Sequence, residues 1–188
     1  MIRLRVVEGD LLESRAQAIM LPVDGMLPAG ADAPRIARSL GRLAREFARR
    51  HPACELIEEI EAQVAFPLAL GRAAEVELPA GSPFRFALLL SMLAHQGEAT
   101  GEEALRAAAG GALGQALALC DRLGVPSVAM PLLKGGWRIS TAVAMTVMLN
   151  VLAGARVRHV LAVEVRVVDE GAAMRMRELA RSLGLTEA

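Results

Sequence analysis

A lysine beside two glycines is the stretch of the sequence best suited to chemistry. Lys134 is the only lysine in the chain, and Gly135 and Gly136 follow it directly. The segment Ser127–Pro131 before it has the apolar character of a buried strand, and an apolar run typical of a helix begins at Thr141. A glycine loop between a strand and a helix leaves backbone N–H groups free to bind an anion. The stretch therefore predicts an anion-binding loop, with a solvated loop lysine as the alternative.

Two aspartates follow predicted strands and are the candidate polar partners of such a ligand. Asp10 comes after residues 2–7, where apolar residues alternate with arginine, and Asp24 comes after the apolar segment Ala18–Val23. A carboxylate can accept hydrogen bonds from a ligand or act as a base. Aspartate is also common in turns. A turn or helix-cap role fits Asp10 equally well, and Asp24-Gly25 fits a turn pair.

Composition favours one soluble globular domain over residues 1–188. The hydrophobic fraction is 54%, aromatic residues make up only 3%, and 21 basic residues balance 21 acidic ones. Cys54 and Cys120 match no disulfide framework or metal motif, so we expect two buried reduced thiols and no metal site. Residues 141–155 contain Asn150 and are too short to span a bilayer. We predict a cytoplasmic protein without a membrane partner or cofactor.

The order of predicted elements indicates an α/β protein. Helices between strands imply a layered fold around a mainly parallel sheet, whose ligands bind at the carboxyl ends of the strands. The patterns predict strands at residues 2–7, 18–23, 64–70, 73–78, 85–93, 127–131 and 158–167, and helices at 34–50, 100–123, 141–152 and 170–183.

An arginine stripe on the first predicted helix offers a different function. Spacings of three and four residues place five arginines along the face opposite the apolar one: Arg35, Arg38, Arg42, Arg45 and Arg49. Such a stripe is typical of a solvated face, and the alternative is nucleic-acid binding. The stripe has no interleaved aromatic residues for stacking bases, which counts against single-strand binding. The acidic segment 55–61 could face the stripe within one molecule or across a dimer.

Three segments resemble the macro domain family. Residues 6–12, VVEGDLL, resemble the family's opening strand and Gly-Asp-Ile-Thr turn. Residues 17–24, QAIMLPVD, resemble its Asp-Ala-Ile-Val-Asn-Ala-Ala-Asn strand, and residues 127–136, SVAMPLLKGG, resemble its Ser-Ile-Ala-Phe-Pro-Ala-Leu-Ser-Thr-Gly segment. The resemblance implies a three-layer α/β/α fold with a mixed, mainly parallel central sheet.

In that family these segments surround ADP-ribose or a related nucleotide. By position, Asp10 would accept from the adenine amino group, and Asp24 stands where the family has an asparagine near the distal ribose. The alternative interpretation of Trp137 is a partly buried anchoring side chain. The resemblance implies the following ligand-binding residues: Asp10, Leu11, Val23, Asp24, Gly30, Lys134, Gly135, Gly136 and Trp137.

The leading hypothesis is therefore a macro-like module that binds a phosphorylated nucleotide such as ADP-ribose. If the protein is an enzyme, the resemblance implies hydrolysis of an ADP-ribosyl bond, with Asp24 orienting the distal ribose or acting as the base. The alternative is a macro-fold protein that has lost its ligand and serves as an interaction or oligomeric module. The apolar surface expected on residues 141–155 motivates that alternative.

Overall fold

The computed structural model describes residues 1–25, 35–92, 101–134, 139–159 and 161–185, with residues 35–38 as backbone only. A short 3₁₀ helix, Leu11–Glu13, follows the first strand. The strands are β1 (Ile2–Glu8), β2 (Ala18–Val23), β3 (Ala73–Glu77), β4 (Phe86–Ser91), β5 (Ser127–Pro131) and β6 (Leu161–Val167). The helices are α1 (Arg35–Arg50), α2 (Leu56–Gln63), α3 (Glu102–Arg122), α4 (Thr141–Gly154) and α5 (Glu170–Ser182).

The strands form one mixed sheet in the order β1-β6-β5-β2-β4-β3. All neighbouring strands pair in parallel except β3, which runs antiparallel to β4 at one edge. The predicted mainly parallel sheet is thus confirmed. Every residue of β4 is buried, and so is every residue of β2 except Pro22, as expected of central strands covered on both faces.

Helices cover both faces of the sheet, which confirms the three-layer α/β/α architecture. One apolar cluster joins the sheet to α3, α4 and α5 through residues such as Leu113, Met148 and Met176. A second cluster joins the opposite face to α1 and α2 through residues such as Phe47 and Ile60. The alternating side chains of each strand supply the two clusters, because successive residues of a strand point to opposite faces.

Helix α4 contributes its large apolar residues to the core. Its buried residues are Ala144, Met145, Met148, Leu149 and Leu152. The exposed positions carry small or polar side chains, among them Thr146 and Asn150. Val143, Val147 and Val151 are half-buried and pack against the same cluster, so most of the apolar surface expected on 141–155 faces the core. Within the described ranges, no helix combines the length and apolar character that crossing a bilayer requires.

The strand predicted at residues 64–70 is wrong. This segment is irregular and contains a cis peptide bond between Phe66 and Pro67. Proline has no N–H to donate to a strand ladder, which disfavours a strand at this place. The backbone of Leu68 instead bonds to two separate parts of the fold: its N–H donates to the carbonyl of Gly25, and its carbonyl accepts from the hydroxyl of Ser91.

The irregular segment 64–70 packs tightly against Gly25. A Cβ atom at position 25 would overlap the carbonyl oxygen of Leu68 and the hydroxyl of Ser91, and would lie 2.9 Å from the Ser91 Cβ. Ser91 is completely buried, so neither neighbour can move far without disturbing the sheet. Glycine at position 25 is required by this close approach, and the turn after β2 is held against the body of the protein.

We predict that Gly25→Ala destabilises the protein by about 1–3 kcal/mol, because the added methyl group overpacks a rigid contact. Urea denaturation followed by circular dichroism measures the change. Gly114→Ala is the matched control, since Gly114 is exposed within α3 and a Cβ there meets nothing within 4 Å. The control variant should gain up to about 1 kcal/mol from helix propensity. Equal stabilities for the two variants would contradict the tight contact at Gly25.

Candidate functional site at the carboxyl edge of the sheet

Parallel pairing brings three predicted site segments to one edge of the sheet. Asp10 follows β1, Asp24 follows β2 and Lys134 follows β5, and these strands run in the same direction. The order β1-β6-β5-β2 puts three strand spacings between the first two, which is about 14 Å at the usual spacing. The edge can therefore accommodate an elongated ligand with different groups at its two ends.

Asp10 is held in place by two interactions. Its Oδ1 accepts from the backbone N–H of Leu12 at 3.0 Å, so it caps the short 3₁₀ helix. Its Oδ2 accepts from Arg50 of α1 at 2.6 Å. The side chain is nevertheless 40% exposed, and each carboxylate oxygen has more than one lone pair. Asp10 is thus a cap residue that still has room to accept a hydrogen bond from a ligand.

Arg50 also belongs to a network at the last turn of α1. Its Nε donates to Glu46 at 2.7 Å, and Glu46 accepts two further hydrogen bonds from Arg49, at 2.6 and 3.0 Å. Hydrogen bonds from Arg49 and Arg50 lower the pKa of Glu46 from 4.5 to about 2. The pKa of Arg50 is raised, chiefly by its hydrogen bond to Glu46. Arg50 therefore stays charged and oriented toward Asp10.

Strand β6 supports the same turn from the other side. Arg166 is 2.6 Å from Glu164 on its own strand and 3.7 Å from Glu13 in the 3₁₀ helix. Burial raises the pKa of Glu164, but hydrogen bonds from Ser14 and Arg166 outweigh it, so the pKa is lowered. The charged Glu164 and Arg166 thus anchor the turn that carries Asp10.

Asp24 is one of only three buried polar or charged residues in the described part of the chain, with 8% of its surface exposed. Its backbone N–H donates to the hydroxyl of Ser39 in α1 at 2.9 Å. The next residue, Gly25, is the crowded position described above. Asp24 therefore belongs to a tightly packed turn at the end of β2.

Helix α1 consequently contacts both ends of the edge. Ser39 bonds the turn after β2, and Arg50 bonds the turn after β1. A kink at Gly41, where φ is +42°, lies between the two contacts. Spacing along the sequence gave no sign of either contact, because both join residues that only the fold brings together.

The ends of the predicted glycine loop are tied to each other. The carbonyl of Lys134 accepts from the N–H of Ile139 at 3.1 Å, and Ser140 caps α4 by accepting from the N–H of Val143 at 3.3 Å. The N-terminus of α4 therefore points at this edge, where its partial positive charge favours an anion. Four predicted site residues lie outside the described residues: Gly30, Gly135, Gly136 and Trp137.

Two predicted contact residues have buried side chains. Leu11 is 7% exposed and Val23 is completely buried, and both belong to the cluster beneath α1 and α2. Only their backbone groups can touch a ligand without rearrangement of the core. This placement suits the backbone role that the resemblance implies for Leu11.

The arginine stripe is solvent-exposed where the structure describes it. Arg42, Arg45 and Arg49 are exposed, and the side chains of Arg35 and Arg38 lie outside the described residues. Arg49 pairs with Glu46 on its own helix and not with the acidic segment 55–61. The structure thus shows a solvated face, and nucleic-acid binding along it stays a prediction.

Metal binding and thiol chemistry depend on where the potential metal-binding groups and the cysteines lie in the described ranges. No group of three or more His, Cys, Asp or Glu side chains there could hold a metal ion. Cys54 and Cys120 are both buried and unpaired with each other. Burial raises the pKa of both thiols, that of Cys120 to about 12, so neither is an activated nucleophile.

Solved structures with the same architecture identify the fold. The macro domain of ganglioside induced differentiation associated protein 2 is 16% identical, with a TM-score of 0.68 over 95% of this chain and 84% of that one. The chain adopts the macrodomain fold. A variant of the Oceanobacillus iheyensis macrodomain with ADPR is 16% identical, with a TM-score of 0.61 over 96% of this chain and 92% of that one.

A larger viral protein shares the macrodomain architecture as part of its chain. The alphavirus P23pro-zbd structure matches 100% of this chain at 14% identity and a TM-score of 0.65, and this chain spans only 25% of its length. No protein-family model matches the sequence, and no curated protein sequence matches it significantly. The macrodomain assignment thus rests on three-dimensional architecture.

We predict that the carboxyl group of Glu46 titrates near pH 2 in the folded protein. The pKa of Glu46 in the folded protein lies below the ordinary value of 4.5. The network therefore stabilises the fold fully at pH values above 4.5. This stabilisation is lost as the pH falls from about 4.5 through about 2. Carboxyl-detected nuclear magnetic resonance follows the titration.

The double variant Arg49→Gln/Arg50→Gln should move the Glu46 midpoint up toward 4.5. Arg106→Gln, an exposed position on α3, is the control and should leave it unchanged. A wild-type midpoint near 4.5 would contradict the network.

Proposed function

We propose that the protein binds a phosphorylated nucleotide of the ADP-ribose type along the carboxyl edge of its sheet. The observation that carries the proposal is the double contact of α1, which holds the turns of Asp10 and Asp24 at the two ends of that edge. The Oceanobacillus iheyensis macrodomain, which shares the fold, has structures with ADPR and with ADP. The same edge is where ligands bind in open parallel sheets in general.

The charges along the edge suit the parts of such a ligand. Asp10 would accept from the exocyclic amino group of the base, while its ion pair with Arg50 offsets its negative charge. Lys134 and the N-terminus of α4 provide positive charge near the middle of the edge, where the diphosphate would lie. Asp24 would face the distal ribose, and sugar hydroxyls are good donors to a carboxylate.

The negative charge of Asp24 lowers the affinity that we expect for ADP-ribose. A carboxylate close to two phosphates is repelled by on the order of 1 kcal/mol in a partly screened site. The family to which the sequence is similar has an asparagine at this position, which avoids the repulsion. The acidic residue would be useful if it accepts a proton, because a base beside the distal ribose could activate a water for hydrolysis of an ADP-ribosyl bond.

We predict that Asp24→Asn binds ADP-ribose about fivefold more tightly than the wild type, since it removes that repulsion without changing the shape of the side chain. Asp10→Ala should bind more weakly. Isothermal titration calorimetry measures both, and Glu178→Gln, which removes an exposed acidic group from α5, is the control. No heat with ADP-ribose, ADP, AMP or NAD at millimolar concentration, in a folded sample, would overturn the proposal.

The same variant separates binding from cleavage. If Asp24 is the base, release of ADP-ribose from an ADP-ribosylated peptide, followed by mass spectrometry, should fall by at least about a hundredfold in Asp24→Asn. Tighter binding together with unchanged release would contradict the catalytic role and leave the binding role intact.

A further inference from the structure

A cavity lies at the opposite edge of the sheet, where strands β2, β4 and β5 begin. Its volume is about 450 Å³, which falls within the range of pockets that hold small organic molecules. One wall is the turn 79–83, which a hydrogen bond from the N–H of Ser82 to the carbonyl of Pro79 closes at 3.0 Å. The cavity is separate from the carboxyl edge, because it lies at the other ends of the same strands.

Three polar residues of the cavity lining are neighbours in space. Gln17 precedes β2, Arg85 precedes β4 and Ser127 begins β5. The N–H of Arg85 donates to the carbonyl of Gln17 at 2.7 Å, and the N–H of Gln17 donates to the Ser127 hydroxyl at 2.9 Å. These bonds place the three residues side by side.

Two arginines give the cavity a positive charge. Arg15 is exposed, and its guanidinium makes no hydrogen bond or ion pair with any residue that the structure describes. The guanidinium of Arg85 lies 4.9 Å from the centre of the Phe86 ring, and its Nε is 3.6 Å from the Glu77 carboxylate. Two cations against one anion leave a net positive charge at the opening.

Arg15 and Arg85 have different freedom of movement. The Phe86 ring and Glu77 restrain the plane of the Arg85 guanidinium, whereas the described residues do not restrain that of Arg15. A guanidinium recognises carboxylate and phosphate through paired N–H groups. Arg85 can hold one oxygen pair while Arg15 contacts another, and the Gln17 amide adds a donor and an acceptor beside them.

We propose that this cavity at the amino edge binds a small organic anion through a phosphate or carboxylate group. Arg15 and Arg85 contact the anionic group, and Gln17 and Ser127 contact the adjoining polar part of the molecule. This inference does not depend on nucleotide binding at the carboxyl edge, because no residue belongs to both sites.

Titration monitored by ¹H–¹⁵N nuclear magnetic resonance tests the proposal. Inorganic phosphate and citrate are the probes for the two chemistries, and glucose is the uncharged control. At least one anion should produce saturating shifts at the amides of Arg15, Gln17, Ser82 and Ser127, and added sodium chloride should weaken them. Which anion saturates at the lower concentration identifies the preferred group.

Arg15→Gln should raise the dissociation constant about tenfold through loss of charge-assisted hydrogen bonds. Arg106→Gln should not change it, and both substitutions are at exposed positions that leave the fold intact. Absence of saturation with both anions at concentrations that would fill a millimolar site would overturn the proposal, as would equal shifts around Arg106. A parallel titration with ADP-ribose distinguishes the two sites. That ligand should shift the amide signals next to Asp10 and Asp24.

Discussion

Burial of the inner face of α1 is the constraint on which the carboxyl edge depends. Phe47 is completely buried against the sheet and stacks on Phe84 at a centroid distance of 6.4 Å. Full burial of such a side chain contributes about 2–3 kcal/mol. A neutral hydrogen bond such as that of Ser39 contributes about 1 kcal/mol, and an ion pair as exposed as Arg50–Asp10 contributes about 1 kcal/mol or less. Docking of the apolar face therefore determines where Ser39 and Arg50 lie, and these residues then hold the two turns. The polar groups at the edge are arranged by hydrophobic packing behind them.

Much of the fold was predictable because each buried strand carries its own signal. Ala18–Val23 and Ser127–Pro131 were predicted at their observed bounds, since continuous apolar runs between turn residues have few other structures available. Residues 64–70 are also apolar, yet the backbone of Leu68 bonds to the Gly25 carbonyl and the Ser91 side chain and forms no strand ladder. Local composition cannot distinguish a strand from a segment that fills a gap beside the sheet.

The candidate site was predictable only in part, for a similar reason. Asp10 and Asp24 could be identified because each directly follows a strand, and strand ends meet at one edge. The partner of Asp10 is Arg50, forty residues away, and the last turn of α1 contains another arginine with the same charge. Which of the two reaches the carboxylate depends on the rotation of α1 about its axis. The kink at Gly41 changes that rotation partway along the helix, and a periodicity argument assumes a regular helix.

The hydrogen bond between the Lys134 carbonyl and the Ile139 N–H has a consequence for how this surface can diversify. The bond joins the end of β5 to the start of α4 through Lys134 and Ile139, which flank the loop. Main-chain atoms of these two residues form the bond, so it does not depend on the Lys134 side chain. Substitution of Lys134 can therefore change the charge at this edge while the end of β5 stays joined to the start of α4.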